Sequence, residues 1–344
     1  MRDLLARVLP FGTVAVVGLA KNTGKTVTVN YLAAQAHAVG LRLGLTSTGR
    51  DGETEDVITA LPKPEIALPP AAVLATARGS LDRGTAKLEI LDTMGISNPL
   101  GEIVLARVRE AGSVEISGPE RTRDLKKVIQ SLRALSDLVI VDGALDRIAA
   151  SAPAVTGATV LATGAAVAPT LEEVVKTTVH RAKVLMTPAV RLTGTGRRLL
   201  LEGRSGIQGP QGVVALPFPT IIDAPAELTG YLEGAETLFL GGALSDELAA
   251  LLISATRGRR FEVILRDATR IFVQPRQWQR LLRSGIHVAV LEPINLVAIT
   301  VNPVDPRGRR FPPQELVANL SKLLPEQLIL DPLAGGGEVI GIHR

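Results

Sequence analysis

Between Val14 and Thr26 the chain reads VAVVGLAKNTGKT, an apolar run closed by Gly18, then five residues, then Gly24-Lys25-Thr26. These residue types at this spacing suit the holding of a polyphosphate. A short loop between a buried strand and a helix wraps the β- and γ-phosphates in backbone N–H groups, and the dipole of the following helix points at the same anion. Gly24 supplies backbone torsions that side chains forbid, Lys25 a positive charge, and the Thr26 hydroxyl a ligand for Mg²⁺. Asn22 and Thr23 lie within the wrap. Lys21 either adds a second charge to the anion or points into solvent. The commonest form of such a loop has four residues between its glycines, whereas this chain has five.

Phosphoryl transfer also needs an acidic residue to help hold the metal, normally at the end of a neighbouring strand. Asp142 closes the apolar run Leu138–Val141 and precedes Gly143, so it is a metal ligand or the start of a turn. A second acidic stretch, GRDGETED at Gly49–Asp56, follows another apolar run. Of its four carboxylates, Asp51, Glu53 or Asp56 could reach the metal; Asp51 is nearest the strand end and is the candidate, with a solvated loop the alternative. Thr163-Gly164-Ala165 follows a further strand, where small residues admit a nucleotide base or simply form a tight turn.

The elements that must position these groups are legible in order. Thr13–Val17 is a β-branched run of the kind buried on both faces of a parallel sheet. Thr26–Val39 lacks Gly and Pro and places Val29, Leu32, Ala33 and Ala36 on one helical face. Gly40 ends that helix, and a strand follows over Leu41–Thr48. Leu61–Pro70 is proline-rich and should be extended. Short strands are expected at Lys87–Leu91, Ile103–Arg107, Val114–Ile116, Leu138–Val141 and Ala158–Ala162. Helices are expected at Pro119–Leu135, with proline at its start, and at Leu171–Met186. Arg191–Glu227 is rich in Gly and Pro, and Arg198–Glu202 and Val213–Leu216 suggest hairpins. From Thr237 strands (Thr237–Leu240, Val263–Leu265, Val288–Leu291, Val297–Val301) alternate with helices (Ser245–Ser254, Arg276–Arg283, Pro313–Leu323). This last third is a second small α/β domain or the far half of one sheet.

The expected class is therefore α/β with a mostly parallel sheet. A nucleotide-binding domain would span residues 1–190, a β-rich insert or connection 191–235, and a smaller α/β region 236–344. At 344 residues, 46% hydrophobic and 21% charged, the chain is neither disordered nor fibrous, and with 3% aromatics its core must be aliphatic. The net charge of +4 owes something to the clusters Arg257–Arg260 and Arg307–Arg310. Both are short and free of interleaved aromatics, so they read as solvated loops rather than a nucleic-acid surface. The absence of cysteine excludes disulfides, thiolate metal sites and cysteine catalysis, and the four histidines have no metal-ligand spacing. Arg2 and Arg7 ahead of an apolar run mimic a secretory signal, but Pro10 and Gly12 break that run. Ile148–Leu171 carries no charge, yet Pro153, Gly157, Gly164 and Pro169 interrupt it, so it reads as interior rather than as a membrane span. A cytoplasmic protein is expected.

The Gly18–Thr26 spacing resembles that of the dethiobiotin synthetase and cobyrinic acid diamide synthase branch of P-loop proteins, in which the later strand ends Val-Glu-Gly-Ala. Here the same place reads Val141-Asp142-Gly143-Ala144, with the carboxylate kept. The resemblance covers roughly residues 13–190 and implies a Mg-ATP site using Lys25, Thr26, Asp142 and an acidic residue such as Asp51. It supplies no match to those synthetases' substrate-binding residues. The whole chain is similar to P-loop proteins associated with cobalamin- and pyridoxal-phosphate-dependent aminomutases of lysine and ornithine. That similarity rests on GLAKNTGKT, GRDGE, Lys63-Pro64, DGALDR at Asp142–Arg147 and TVNP at Thr300–Pro303. It implies an NTPase that reactivates such a mutase. The alternatives are an ATP-dependent synthetase that activates a small carboxylate and a nucleotide-binding module without catalysis.

Overall fold

In the computed structural model, residues 4–48, 65–143, 152–153, 155–218, 220–222 and 227–334 are described. The chain divides into two compact units, Met1–Val179 with Asn295–Arg344, and His180–Ile294.

The first unit opens with a short helix, α1 (Leu4–Val8), whose Leu4, Leu5 and Val8 are buried in the core. The apolar run behind Arg2 is thus interior packing. Next come β1 (Thr13–Gly18), α2 (Lys25–Ala38) and β2 (Leu43–Ser47). Val14, Ala15, Val16 and Val17 of β1 are all but fully buried, as a strand covered on both faces requires. Helix α2 buries Val29, Leu32, Ala33 and Ala36 against Val14, Val16, Leu43, Leu45, Leu138 and Ile140 of the sheet. It also buries Asn30, whose side chain donates to Glu65 O (2.9 Å) and accepts from Ala67 N (3.1 Å). That pair of bonds fastens β3 (Ile66–Leu68) to the helix.

After β3 the chain forms β4 (Val73–Ala77), which the sequence did not announce, and a long hairpin of β5 (Lys87–Asn98) and β6 (Gly101–Glu110). Short strands were expected there; most of β5 is partly or fully exposed, so its polar residues hid its length. Strand β7 (Gly112–Val114) pairs with β3. Helix α3 (Thr122–Leu135) begins three residues after Pro119, which lies ahead of the helix rather than in its first turn. Then follow β8 (Leu138–Asp142), β9 (Ala158–Gly164) and α4 (Leu171–Leu185), whose C-terminal part belongs to the second unit.

In the second unit, α5 (Gly194–Glu202) is a helix where Arg198–Glu202 suggested a hairpin. It buries Leu199 and Leu200 and ends at Gly203, whose N–H caps the carbonyls of those two leucines. The hairpin is instead β10 (Gly206–Gly209) with β11 (Gly212–Ala215). After α6 (Leu228–Leu232) come β12 (Thr237–Leu240), α7 (Asp246–Thr256), β13 (Phe261–Leu265), α8 (Pro275–Arg283) and β14 (Ile286–Val290). This unit's sheet has the order β11-β10-β12-β13-β14, with β12, β13 and β14 parallel.

The chain then returns to the first unit with β15 (Leu296–Asn302), α9 (Pro313–Leu323) and β16 (Leu328–Leu330). The expected division at 190, 235 and 236 therefore differs from the observed one. Residues 295–334 belong with the N-terminal unit, because β15 pairs in parallel with β9 and carries β16 at its other side. The completed sheet has nine strands among the described residues, in the order β16-β15-β9-β1-β8-β2-β4-β6-β5. It is parallel from β16 to β4 and antiparallel beyond, so the protein is α/β with a large, mostly parallel mixed sheet. No helix among the described residues is long and apolar enough to cross a membrane.

Candidate functional site

Strand β1 sits between β8 and β9, so its carboxyl end emerges where the chain has crossed from one side of it to the other. In open parallel sheets that is where ligands bind. Two of the candidate residues, Gly18 and Asp142, meet there. Gly18 ends β1 opposite Ala162 of β9, and Asp142 ends β8 opposite Val16. The pairing runs past the strand ends, with Leu19 N–H donating to Ala162 O (3.0 Å) and Gly143 N–H to Val16 O (2.9 Å).

The loop from Leu19 to Gly24 is folded tightly on itself. Thr23 is buried, and its hydroxyl donates to Ala20 O at 3.0 Å. A Cβ on Gly18 would stand 2.5 Å from the Thr23 hydroxyl oxygen and 3.1 Å from Lys25 Cγ, so only glycine permits this closure. Backbone φ is +61° at Asn22 and +87° at Gly24, but not positive at Thr23 between them. Left- and right-handed torsions in succession are the backbone pattern from which concave anion-binding loops are built. Helix α2 starts at once with Lys25 and Thr26, both partly buried. Among the described residues no side chain caps this helix, and its first turn holds no acidic group. The positive end of its dipole therefore faces the loop without an internal counter-charge. Lys21 is exposed.

Asp142 is 5% exposed. Its main-chain carbonyl accepts from Thr48 N–H (3.0 Å), and across the ladder it faces Ser47 at the end of β2. The Ser47 hydroxyl is itself held, donating to Ile116 O (3.3 Å) and accepting from Gly118 N–H (3.0 Å). This places the strand that carries Asp142 firmly between β1 and β2. Asp51, Glu53 and Asp56 lie outside the described residues, as do Lys63-Pro64 and Ala144–Arg147. Among the described residues no cluster of three or more His, Asp or Glu side chains is arranged to hold a metal. A Mg²⁺ ion does not need one, since it is usually bound through one or two protein groups together with phosphate oxygens and water. Thr26 and Asp142 are donors of that kind.

Thr163-Gly164-Ala165 is closed rather than open to a base. Thr163 and Ala165 are fully buried. The Thr178 hydroxyl donates to Val174 O (2.7 Å), so the 2.6 Å bond between the two threonines is donated by Thr163. Gly164 packs directly on the Asn302 main chain, and Ala165 N–H donates to Asn302 O (2.9 Å). The small residues there allow β9 and β15 to close up.

Two residues not expected at the site reach it from β15. Asn302, at the end of β15, donates from Nδ2 to Asn22 O at 3.1 Å. Thr300, two residues earlier, shares a buried 2.8 Å hydrogen bond with Thr28 of α2. The sequence signal for both was their polarity within an apolar strand, in the phrase TVNP. Compared with protein-family models, curated proteins and solved structures, the chain gives no match.

Proposed function

We propose that the first unit binds Mg-ATP as a P-loop NTPase and that the protein uses nucleotide turnover to act on a partner protein in the cytoplasm. The observation that carries this reading is the alternating-φ loop between Gly18 and Lys25, closed between a central parallel strand and an uncapped helix, with Asp142 on the adjoining strand. In this reading the backbone N–H groups from Lys21 to Thr26 wrap the β- and γ-phosphates, and Lys25 offsets their charge. Thr26 and Asp142 hold the metal, directly or through water, with Asp51 as a further acidic candidate. Bound Mg²⁺ supplies neutralisation of the charge that develops on the phosphate oxygens. Lys25 and Asp142 are the residues assigned to turnover.

The resemblance to aminomutase-associated proteins favours reactivation of a cobalamin- and pyridoxal-phosphate-dependent mutase as the role. On this reading basal turnover is slow, well below the roughly 10 s⁻¹ typical of metabolic enzymes, and the partner raises it. The acidic stretch Gly49–Asp56 then responds to nucleotide state. Hydrogen exchange with ADP and with a non-hydrolysable ATP analogue, alongside turnover with and without an aminomutase, tests this. Identical protection in both nucleotide states, together with rapid turnover driven by a small carboxylate or amine, makes the protein a synthetase instead. Binding of ATP with no turnover under any of these conditions makes it a nucleotide-binding module.

A further inference from the structure

We infer that Asn302 is a positioning residue for the phosphate loop, holding it in its anion-ready shape from a strand that the chain reaches only after residues 180–294. The inference rests on the nucleotide reading of the site and concerns how that site is kept in order.

The Asn302 side chain is fixed at both ends of its carboxamide. Its Oδ1 accepts from Val304 N–H at 3.2 Å. That N–H can only donate, so the amide oxygen must face it and the NH₂ group must face Asn22 O, 3.1 Å away. Asn22 is one of the few non-glycine residues with positive φ, at +61°. Such a conformation is unfavourable for an L-residue, less so for asparagine than for most, and persists where neighbours over-determine it. The hydrogen bond to its carbonyl is one such determinant. Gly24 is the other positive-φ residue of the loop, and it backs onto the same side chain: a Cβ built there would lie 3.0 Å from Asn302 Cβ. One asparagine thus touches both left-handed positions of the loop.

Thr300 extends the brace. It lies two residues earlier, on the same face of β15, and bonds Thr28 one turn into α2. The strand therefore holds the loop at Asn22 and Gly24 and the helix at Thr28, on either side of Lys25 and Thr26. Residues 1–179 contain the whole phosphate-binding motif and the Thr23–Ala20 closure, but not the side chain that braces Asn22 and Gly24.

The experiment compares the full chain with Asn302→Ala and Asn302→Asp variants. It measures binding of ATP and of inorganic tripolyphosphate, below the melting temperature of each protein, and hydrogen exchange of residues 19–26 without ligand. Removing one hydrogen bond from a preorganised loop should weaken both probes by about tenfold in Asn302→Ala. The loss should be equal for the two, because the residue acts through the loop and not on a base. Asn302→Asp keeps the acceptor for Val304 N–H but sets a carboxylate oxygen against the Asn22 carbonyl, so it should lose more. Exchange of the loop amides should rise in both variants. Unchanged affinity, or a loss confined to ATP, overturns the inference, the latter by making Asn302 a reader of base or ribose. Should the parent protein bind neither probe, the nucleotide reading fails. The exchange experiment then still judges the brace, and unchanged exchange in the variants refutes it.

Discussion

The Thr28–Thr300 contact permits a sharp energetic test of how α2 is joined to β15. Thr28 is fully buried and Thr300 is 1% exposed. The Thr28 hydroxyl donates to Gly24 O at 3.0 Å, so its single proton is committed and the 2.8 Å bond to Thr300 must be donated by Thr300. The two substitutions are therefore not equivalent. Thr28→Val strands the Thr300 hydroxyl proton in a dry interior, at a cost of about 1–3 kcal/mol. Gly24 O is not orphaned, since it still accepts from Thr28 N–H at 3.0 Å. Thr300→Val leaves the Thr28 proton satisfied and removes only one accepted bond, costing about 1 kcal/mol. In the double variant both hydroxyls are gone, so the combined loss should fall short of the sum by about 1 kcal/mol. Calorimetry on the four proteins gives the energies, and hydrogen exchange of α2 and β15 assigns the transition that moves. For a unit of this size each kcal/mol is about 2–4 °C, so a loss of about 1–3 kcal/mol in Thr28→Val should lower its melting temperature by about 2–12 °C. A Thr28→Val protein within about 0.5 kcal/mol of the parent, or strict additivity in the double variant, would refute the buried bond and its direction.

Lys25→Ala should abolish ATP binding in a titration while leaving the circular dichroism spectrum unchanged, and Thr26→Ala should weaken Mg²⁺-dependent binding more than metal-free binding. Unchanged affinity in the first, or equal losses in the second, removes the assigned roles. Asp142→Asn should keep much of the ATP affinity and lose most of the turnover, since an electrostatic contribution to phosphoryl transfer is commonly worth several kcal/mol of barrier; Asp51→Asn is the matching test for the acidic stretch. A last prediction concerns pH and the second unit. His180 donates from Nε2 to Val273 O (2.9 Å) and stands edge-on to Trp278. Burial holds its pKa below the ordinary value, assisted by the Arg181 charge and opposed by the Val273 bond and Asp246. The unfolded chain therefore takes up this proton first, near pH 6.5. Stability of the second unit should fall as pH drops below that value and level off once the folded imidazole also titrates. Denaturant midpoints read by Trp278 fluorescence should show the slope, and His180→Phe should flatten it; an equal slope in the variant assigns the effect to other groups.

Much of the candidate site was readable because its parts are local. A β-branched run, a glycine-bounded loop and a helix without Gly or Pro follow one another in sequence, and each imposes its own backbone geometry within a few residues. Val29, Leu32, Ala33 and Ala36 were expected on the inner face of α2 because helical periodicity alone puts them there, and they are buried. The amphipathic α9 likewise spans Pro313–Leu323, as its pattern predicts. Where local pattern was ambiguous, tertiary packing decided. The stretch Arg198–Glu202 suits strand or helix, and it became helical where Leu200 packs on Phe239 and Ile264. Only the tertiary structure decided the division of the chain and the setting of the loop. Nothing within Val297–Val301 states that it will pair with β9 rather than with β14, because a parallel strand buried on both faces presents nearly the same apolar surface to any neighbour. Asn302 shows the consequence most plainly. In sequence it is a polar residue before a proline, 280 positions from Asn22. It reaches the loop after β1 because the sheet sets β15 beside β9 and β9 beside β1, a juxtaposition that no local periodicity encodes.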